Sequence, residues 1–488
     1  MSRSRKEPSP LKISKKALGA VKCEVWLDTD DVPYASLLRK GHREHYPVQS
    51  SAFALFFKVA YLRETRRLLK YEQAPSDATT CATQNLLCAL AFEKGEKHAT
   101  SIRVAHLRDS VYVDLADQSR QLVKIDREGF RIVSSNDVPE VRFLRPGGTK
   151  ALPVPENADH GGNMKAVQKV LGLGETAFVQ VVTFILAAFN PSNRFPILVL
   201  RGDRGSGKST LARLVGRILD PRNPEIVSPP RNDDDLFVSA RQTFLYSVDN
   251  VSGLQPWLSD AFCRLSTGGG ITKRKLYSDS DVVRLSTAKP VILNGIDEIA
   301  ERDDLSSRAL HVKLTSSEGR RRSEREINHE FDSALPRILG SLYAMVSRSI
   351  RDVGSVDMDF EPRMYDAFEW VVAAGDLLPF DSAAVGAAYK TAGEQALQDS
   401  IDSDPLLAGL VQMLEANEKW SGSMTELRGL MGKSSKEVAN LTTRALASRL
   451  ERIKPVLRQL GYTVSSTGRK HPQSRQSIWD ISKKVVAK

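Results

Sequence analysis

The chain has 488 residues, 41% hydrophobic and 26% charged, a balance that suits a globular protein of about two to four domains and excludes a disordered polymer. Its formal net charge of +11 favours a polyanionic partner. Cys23, Cys81, Cys88 and Cys263 show no CxxC spacing, which indicates neither a disulfide framework nor a zinc site and points to the reducing cytoplasm, and the longest apolar run, Phe178 to Phe189, is too short to span a bilayer.

In chain order, "MSRSRKEPSPLKISKK" is basic and is not followed by the apolar segment of a secretory signal, so residues 1–40 read as a basic disordered tail. Residues 41–150 read as an α+β module: "SSAFALFFKVAYLRETRRLLKYE" and "TTCATQNLLCALAFEK" have helical apolar spacing, and "SIRVAHL", "SVYVDLA", "QLVKIDREGFRIV" and "VRFLR" are strand-like. Within it, His42 and His45 lack metal-site spacing and read as structural. Asp114 and Asp117 have no supporting motif for a primase-type metal site. The stretch 151–163, rich in Pro and Gly, reads as a linker.

From 164 to 315 helices alternate with short apolar runs, "FPILVL", "TFLYSVD", "PVILNG" and "ALHVKL", the pattern of a parallel α/β sheet. Residues 316–400 read as helical. Residues 401–488 read as helices followed by a hairpin, the order of a winged helix.

"LVLRGDRGSGKST" matches GxxxxGK[ST] between a strand and a helix. Gly202, Asp203, Arg204, Gly205, Ser206, Gly207, Lys208, Ser209 and Thr210 form a loop whose backbone N–H groups and helix N-terminus suit the phosphates of ATP. Lys208 is expected to reach the β- and γ-phosphates, and Ser209 to ligate Mg²⁺. The metal's acidic partner is expected at the end of another buried strand, which makes Asp249 in "TFLYSVDNV" the Walker B carboxylate. Asn250 follows it, where many P-loop ATPases place a glutamate that polarises the attacking water; the general base is therefore left open. Asp233 to Asp235 read as a loop or helix cap. Asn294 ends the strand "PVILN" as a sensor of the γ-phosphate or lytic water, and Arg308, just before the last core strand, is placed to act across a subunit boundary.

This succession resembles the superfamily 3 helicases and related AAA+ replication ATPases of phages, plasmids and integrative elements. The stretch "YSVDNVSGLQPWLSDAFCRLSTGGGITKRKLYSD" looks like its counterpart in uncharacterised mobile-element ATP-binding proteins. The resemblance extends from about Met164 to Ile350, more loosely over the C-terminal winged helix, and does not account for the N-terminal module. It implies an AAA+-type P-loop ATPase core working as an oligomer, a hexamer in such helicases, with ATP and Mg²⁺. It also implies a pore hairpin between Walker B and sensor. Lys273, Arg274 and Lys275 would then contact single-strand phosphates, and Tyr277 would stack on a base or brace the hairpin.

From Ser448 to Lys488 the cations exceed the acids by eight. "ALASRLERIKPVLRQLG" packs one stripe (Leu446, Leu450, Ile453, Leu457, Leu460) and leaves Arg449, Arg452 and Arg458 to meet duplex phosphates, with Arg469 and Lys470 in the wing. The leading reading is a cytoplasmic ATP-dependent DNA helicase or translocase of mobile-element replication, a homo-oligomer on single-stranded and duplex DNA, with no membrane role. The N-terminal module would be free to take a replication or defence partner. Its rival is a DNA-binding ATPase switch, such as a helicase loader, initiator or defence sensor, that does not unwind. A small-molecule P-loop kinase would not require Arg308, the basic hairpin or the basic C-terminus.

Overall fold

The structure, a computed structural model, describes residues 8–157, 161–251, 253–274, 282–295, 303–315, 322–470 and 477–483. Order begins well inside the stretch expected to be a tail. Helix α1 (Pro10–Ala20), capped by the Ser9 side chain on the Lys12 amide, turns Ile13 and Ala17 inward, and strands β1 (Glu24–Leu27), β2 (Pro33–Arg39) and β3 (His42–Pro47) form an antiparallel sheet. Helices α2 (Ser51–Leu69) and α3 (Asp77–Lys94), each started by a serine cap, pack with α1 and this sheet around Phe53, Phe57 and Leu87. The basic residues of the first forty had masked an apolar stripe that needs a partner surface.

The region expected as one module carries strands of three sheets, β3 belonging to the first. After the short strand β4 (Thr100–Ser101), β5 (Val104–Leu107), β6 (Ser110–Asp114), β7 (Gln121–Asp126) and β8 (Gly129–Ser134) form a four-stranded meander, and β9 (Arg142–Phe143) pairs with β4. Val111, Val113, Val123 and Ile125 of the meander join the same apolar core as the helices and strands that follow. Nor is 151–157 a free linker: Leu152 is buried, its N–H bonds Leu115 O at 2.8 Å, and the Glu156 N–H bonds Pro336 O at 3.0 Å. Backbone hydrogen bonds and one buried leucine outweigh a composition that reads as loop.

Arg103 fastens the meander to the next unit. Its side chain and that of Asp220 are 1% and 2% exposed; Nε donates to Asp220 Oδ1 at 3.2 Å, Nη1 to Asp114 O at 2.8 Å and Nη2 to Lys150 O at 2.7 Å. Asp220 also accepts the Phe244 amide at 2.9 Å, so the ion pair is hydrogen-bonded on both sides.

Helices α4 (Lys165–Leu171) and α5 (Glu175–Ala187) lead into the central sheet; every residue of α5 from Phe178 to Ala187 is buried, as befits a helix apolar all round. Strands β10 (Ile197–Gly202), β11 (Tyr246–Val248), β14 (Val291–Asn294) and β15 (Ala309–Leu314) lie in the order β11–β14–β10–β15, all parallel, with an isolated parallel bridge from Val227 to Val248 beyond β11. Both faces are covered, by α6 (Lys208–Leu219), α7 (Asp233–Ala240), α8 (Pro256–Thr267) and the helices behind, so the strands read as continuous apolar runs. Strands β12 (Gly270–Arg274) and β13 (Val282–Ser286) form a separate antiparallel hairpin, and α9 (Asp303–Ser306) precedes β15.

Helices α10 (Glu324–Asp352), begun by a Ser323–Glu326 capping box, α11 (Tyr365–Val372) and α12 (Ala383–Ser403) make the expected helical region. The C-terminal unit runs α13 (Pro405–Asn417), β16 (Lys419–Ser423), α14 (Met424–Met431), α15 (Lys436–Ala439), α16 (Thr443–Gln459), β17 (Tyr462–Lys470) and β18 (Ser477–Lys483), with antiparallel sheet order β16–β18–β17. Leu446, Leu450, Ile453 and Leu457 of α16 are buried as the stripe predicts; Leu460 is only partly so. No described helix is long and apolar enough to cross a membrane.

Candidate functional site

Parallel register brings the expected residues together. Leu200 of β10 lies opposite Asn294 of β14, and Val248 of β11 lies opposite Leu293, so the C-terminal ends of three neighbouring strands deliver the loop at 202–209, Asp249 and Asn294 to one edge. Gly202 adopts φ +139°, and a Cβ there would meet Leu314 O at 2.1 Å. Gly207, at φ +91°, precedes α6 and leaves its first-turn amides without a side-chain cap. Lys208 is 8% exposed, and its Nζ donates to Gly202 O at 2.6 Å and Asp203 O at 2.8 Å. The buried Ser206 Oγ has no partner among the described residues. Uncapped amides, a lysine held over the loop and an orphaned hydroxyl fit a polyphosphate.

Ser209 Oγ donates to Asp249 Oδ2 at 3.1 Å, while Asn294 Nδ2 donates to Asp249 Oδ1 at 2.6 Å and to Ser209 Oγ at 2.9 Å. A hydroxyl and a carboxylate at this separation are a donor set suited to Mg²⁺, with Asn294 steering both. Asn250 is exposed at φ +56°, its N–H bonded to Asp249 Oδ1 at 2.8 Å. Asp233, Asp234 and Asp235 occupy the first turn of α7 behind the Asn232 cap, and Asp233 pairs with Arg264 at 2.9 Å.

Arg308 stands elsewhere. Ile197 pairs with Ala309 and Gly202 with Leu314, so Arg308 precedes β15 at the edge opposite the 202–209 loop, roughly 17–20 Å away by strand rise. Its side chain is 16% exposed and pairs with Asp304.

Lys273 and Arg274 lie on the hairpin strand β12, opposite Val283 and Val282. Lys275 and Tyr277 lie outside the described residues. In the C-terminal unit Arg452 and Arg458 are exposed on α16, but Arg449 is not free for phosphate: Nε holds Asp404 at 3.1 Å and Nη1 holds Glu437 at 2.5 Å. This corrects its expected role. Lying three residues before Arg452, Arg449 is rotated by about 60° toward the flank where the carboxylates of Asp404 and Glu437 lie. Arg469 and Lys470 fall on β17.

In the N-terminal region His45 Nδ1 meets Ser36 Oγ at 2.8 Å, and burial, with Arg142 beside it, pushes its pKa down to about 3. Asp114 takes a two-pronged bond from Arg145 at 2.6 and 2.8 Å, and Asp117 Oδ1 accepts the Gln121 amide at 2.8 Å. These groups are spent on structure.

Sequence reasoning missed three features. Arg444 joins Arg452 and Arg458 on the exposed face of α16; helical spacing alone could have found it. A cavity of about 210 Å³ beside the start of the 202–209 loop is lined by Thr176, Arg201, His311, Lys313, Ala392 and Gln395. Burial, then Arg201, pushes the His311 pKa down to about 3. Arg363, ahead of α11, binds Asp304 Oδ1 at 2.6 Å. The last two arise where distant segments meet and leave no motif.

Residues 169–399 match the family model described as the actinomycete integrative conjugative element replication protein, and residues 406–487 match that of the AICE RepA C-terminal domain. No curated protein matches the chain. Among solved structures, the chain is similar to the A form apo structure of the NrS-1 C-terminal region at 11% identity, covering 98% of this chain and 100% of that one with a TM-score of 0.41. It is similar to the SCCmec type IV Cch active helicase at 10% identity, with 94% and 93% covered and a TM-score of 0.45. A full-length MCM homolog from Methanopyrus kandleri follows at 14% identity, 71% and 90% covered, TM-score 0.34.

Proposed function

We propose that this chain is an ATP-driven DNA helicase or translocase serving replication of an integrative element, in which Lys208 and the 202–209 backbone hold the nucleotide phosphates. The observation that carries it is the convergence of Ser209, Asp249 and Asn294 within 3.1 Å of one another at the edge where the phosphate loop lies. Ser209 and Asp249 would hold Mg²⁺, which neutralises charge on the β- and γ-phosphates. Asn294 spends its two N–H donors on Asp249 and Ser209, and its free Oδ1 is left to accept a hydrogen bond from the attacking water.

The cavity lined by Arg201, His311 and Gln395 adjoins this edge and offers polar groups toward the nucleoside. Arg308, a strand's length from its own loop, suits a neighbour's nucleotide, which supports a closed AAA+-type ring with heterologous contacts. The hairpin carrying Lys273 and Arg274 is read as the single-strand contact. The unit 405–483, with α16 presenting Arg444, Arg452 and Arg458 beside a hairpin, is read as a winged helix on duplex DNA. The family match to a replication protein supports this cytoplasmic role.

A switch that binds ATP without unwinding is the second reading, favoured by Asn250 in the place where many such ATPases carry a glutamate. ATP turnover with and without single-stranded DNA, alongside unwinding of a forked duplex, separates them. Stimulated turnover with strand separation establishes the helicase; ATP binding or stimulated turnover without separation selects the switch; failure to bind ATP removes both.

A further inference from the structure

We propose that Arg363 is a second arginine presented with Arg308 to the neighbouring subunit's triphosphate, and that Asp304 is the carboxylate that positions the pair. The inference rests on the reading of Arg308 as a residue acting across a subunit boundary.

Two separate segments build the cluster. Asp304 lies on α9, Arg308 follows that helix, and Arg363 comes from the segment ahead of α11 in the helical region. Arg308 Nη1 donates to the Asp304 carbonyl at 2.9 Å and pairs with its Oδ2, while Arg363 Nη2 takes Oδ1 at 2.6 Å and Nη1 donates to Ser307 Oγ at 2.9 Å. The carboxylate is thus divided, one oxygen to each guanidinium. Burial would raise its pKa, but the bonds from Arg308 and Cys263 and the charge of Arg363 hold it below the usual carboxylate range, so the group stays ionised.

Charge and exposure separate this from a plain staple. Two guanidinium cations against one carboxylate leave the trio with a surplus positive charge, which a bond serving only to hold the fold does not require. Arg308 is the sheltered member at 16% exposure, and Arg363 the open one at 44%. A planar guanidinium has five donors, and Arg363 engages two nitrogens here, which leaves donors for a phosphate oxygen. The arrangement gives one anchored and one accessible arginine at the sheet edge remote from the subunit's own phosphate loop. Because Arg363 belongs to the helical region and Arg308 to the sheet, the pair reports on how those two parts are seated.

The test uses the full chain and its Arg308→Ala, Arg363→Ala, Arg363→Lys, Asp304→Asn and Lys208→Ala variants. The readouts are ATP turnover, KM, affinity for a fluorescent ATP analogue, oligomeric state and melting temperature. Arg363→Ala is expected to lower kcat by about 10²-fold, the effect of losing one charge-stabilising donor, with analogue affinity and assembly retained and Arg363→Lys partly active. Asp304→Asn should lower kcat less, with KM unchanged. Mixing Arg363→Ala with Lys208→Ala subunits should restore turnover, because the intact loop of one then faces the intact pair of the other. A folding defect in Arg363→Ala would follow its own loop into the mixture and would not be rescued.

Wild-type turnover in Arg363→Ala overturns the proposal. So does a loss that mixing fails to restore while the Arg308→Ala and Lys208→Ala mixture regains activity; in both results the ring reading stands. If Arg308→Ala itself turns over ATP normally, or its mixture is not rescued despite co-assembly, the ring reading fails and takes this proposal with it.

Discussion

Asn294 places its Nδ2 2.6 Å from Asp249 Oδ1 and 2.9 Å from Ser209 Oγ, so one buried amide holds the carboxylate and the hydroxyl of the candidate metal site. Asn294→Ala should lower kcat by about 10²-fold while nucleotide affinity changes little, since the loop and Lys208 are untouched. Steady-state turnover and analogue titration check this; equal loss of affinity would show that Asn294 merely shapes the loop.

Arg103 and Asp220 are each buried at the junction of the β5–β8 meander and the central unit. Removing one partner strands the other charge, so Arg103→Ala should cost about 3–5 kcal/mol. Arg103→Met with Asp220→Leu should lose less than either single change if the stranded charge is the chief cost. Urea denaturation of the wild type, Arg103→Ala, the two singles and the double variant measures it.

The cations of α16 divide by structure. Arg449 holds Asp404 and Glu437, so Arg449→Ala should destabilise the C-terminal unit by about 1–3 kcal/mol and leave the salt slope of duplex binding unchanged. Replacing Arg444, Arg452 and Arg458 together should instead flatten that slope by about 0.9 for each phosphate no longer neutralised. Duplex titrations across salt concentrations, paired with denaturation, distinguish the two sets.

For the hairpin, neutralising Lys273, Arg274 and Lys275 should weaken single-strand binding and reduce its salt slope by up to about 0.7 for each phosphate released, with ATP binding kept. Unchanged single-strand affinity would reduce this hairpin to a solvated surface element.

His311 is buried with its pKa pushed down to about 3, whereas an unfolded histidine titrates near about 6.5. Between those values the unfolded chain takes up a proton that the folded one refuses, so stability is full above the upper value and falls with pH towards the lower. The contribution is about 1.4 kcal/mol per pH unit in that window. His311→Gln should show a shallower decline than the wild type between about pH 6.5 and 4 in denaturation curves.

What the sequence determined by itself is local and chemical. The four apolar runs of the parallel sheet, the glycine-rich loop from Gly202 to Ser209 and the buried stripe of α16 follow from periodicity, glycine placement and spacing, whereas the hairpin at Gly270 was implied by the family resemblance. Asp249 and Asn294 were legible because parallel strands deliver their C-terminal ends to one edge. Tertiary structure decided which cations are free and where domains meet. Arg449 turns to two carboxylates while Arg452 stays in water; Arg363 joins Asp304 from a distant segment of the chain; Leu152 docks a segment whose composition reads as loop. In each case the outcome depends on which distant surface covers a side chain, and burial and charge pairing across such distances follow no local period that a linear reading could detect.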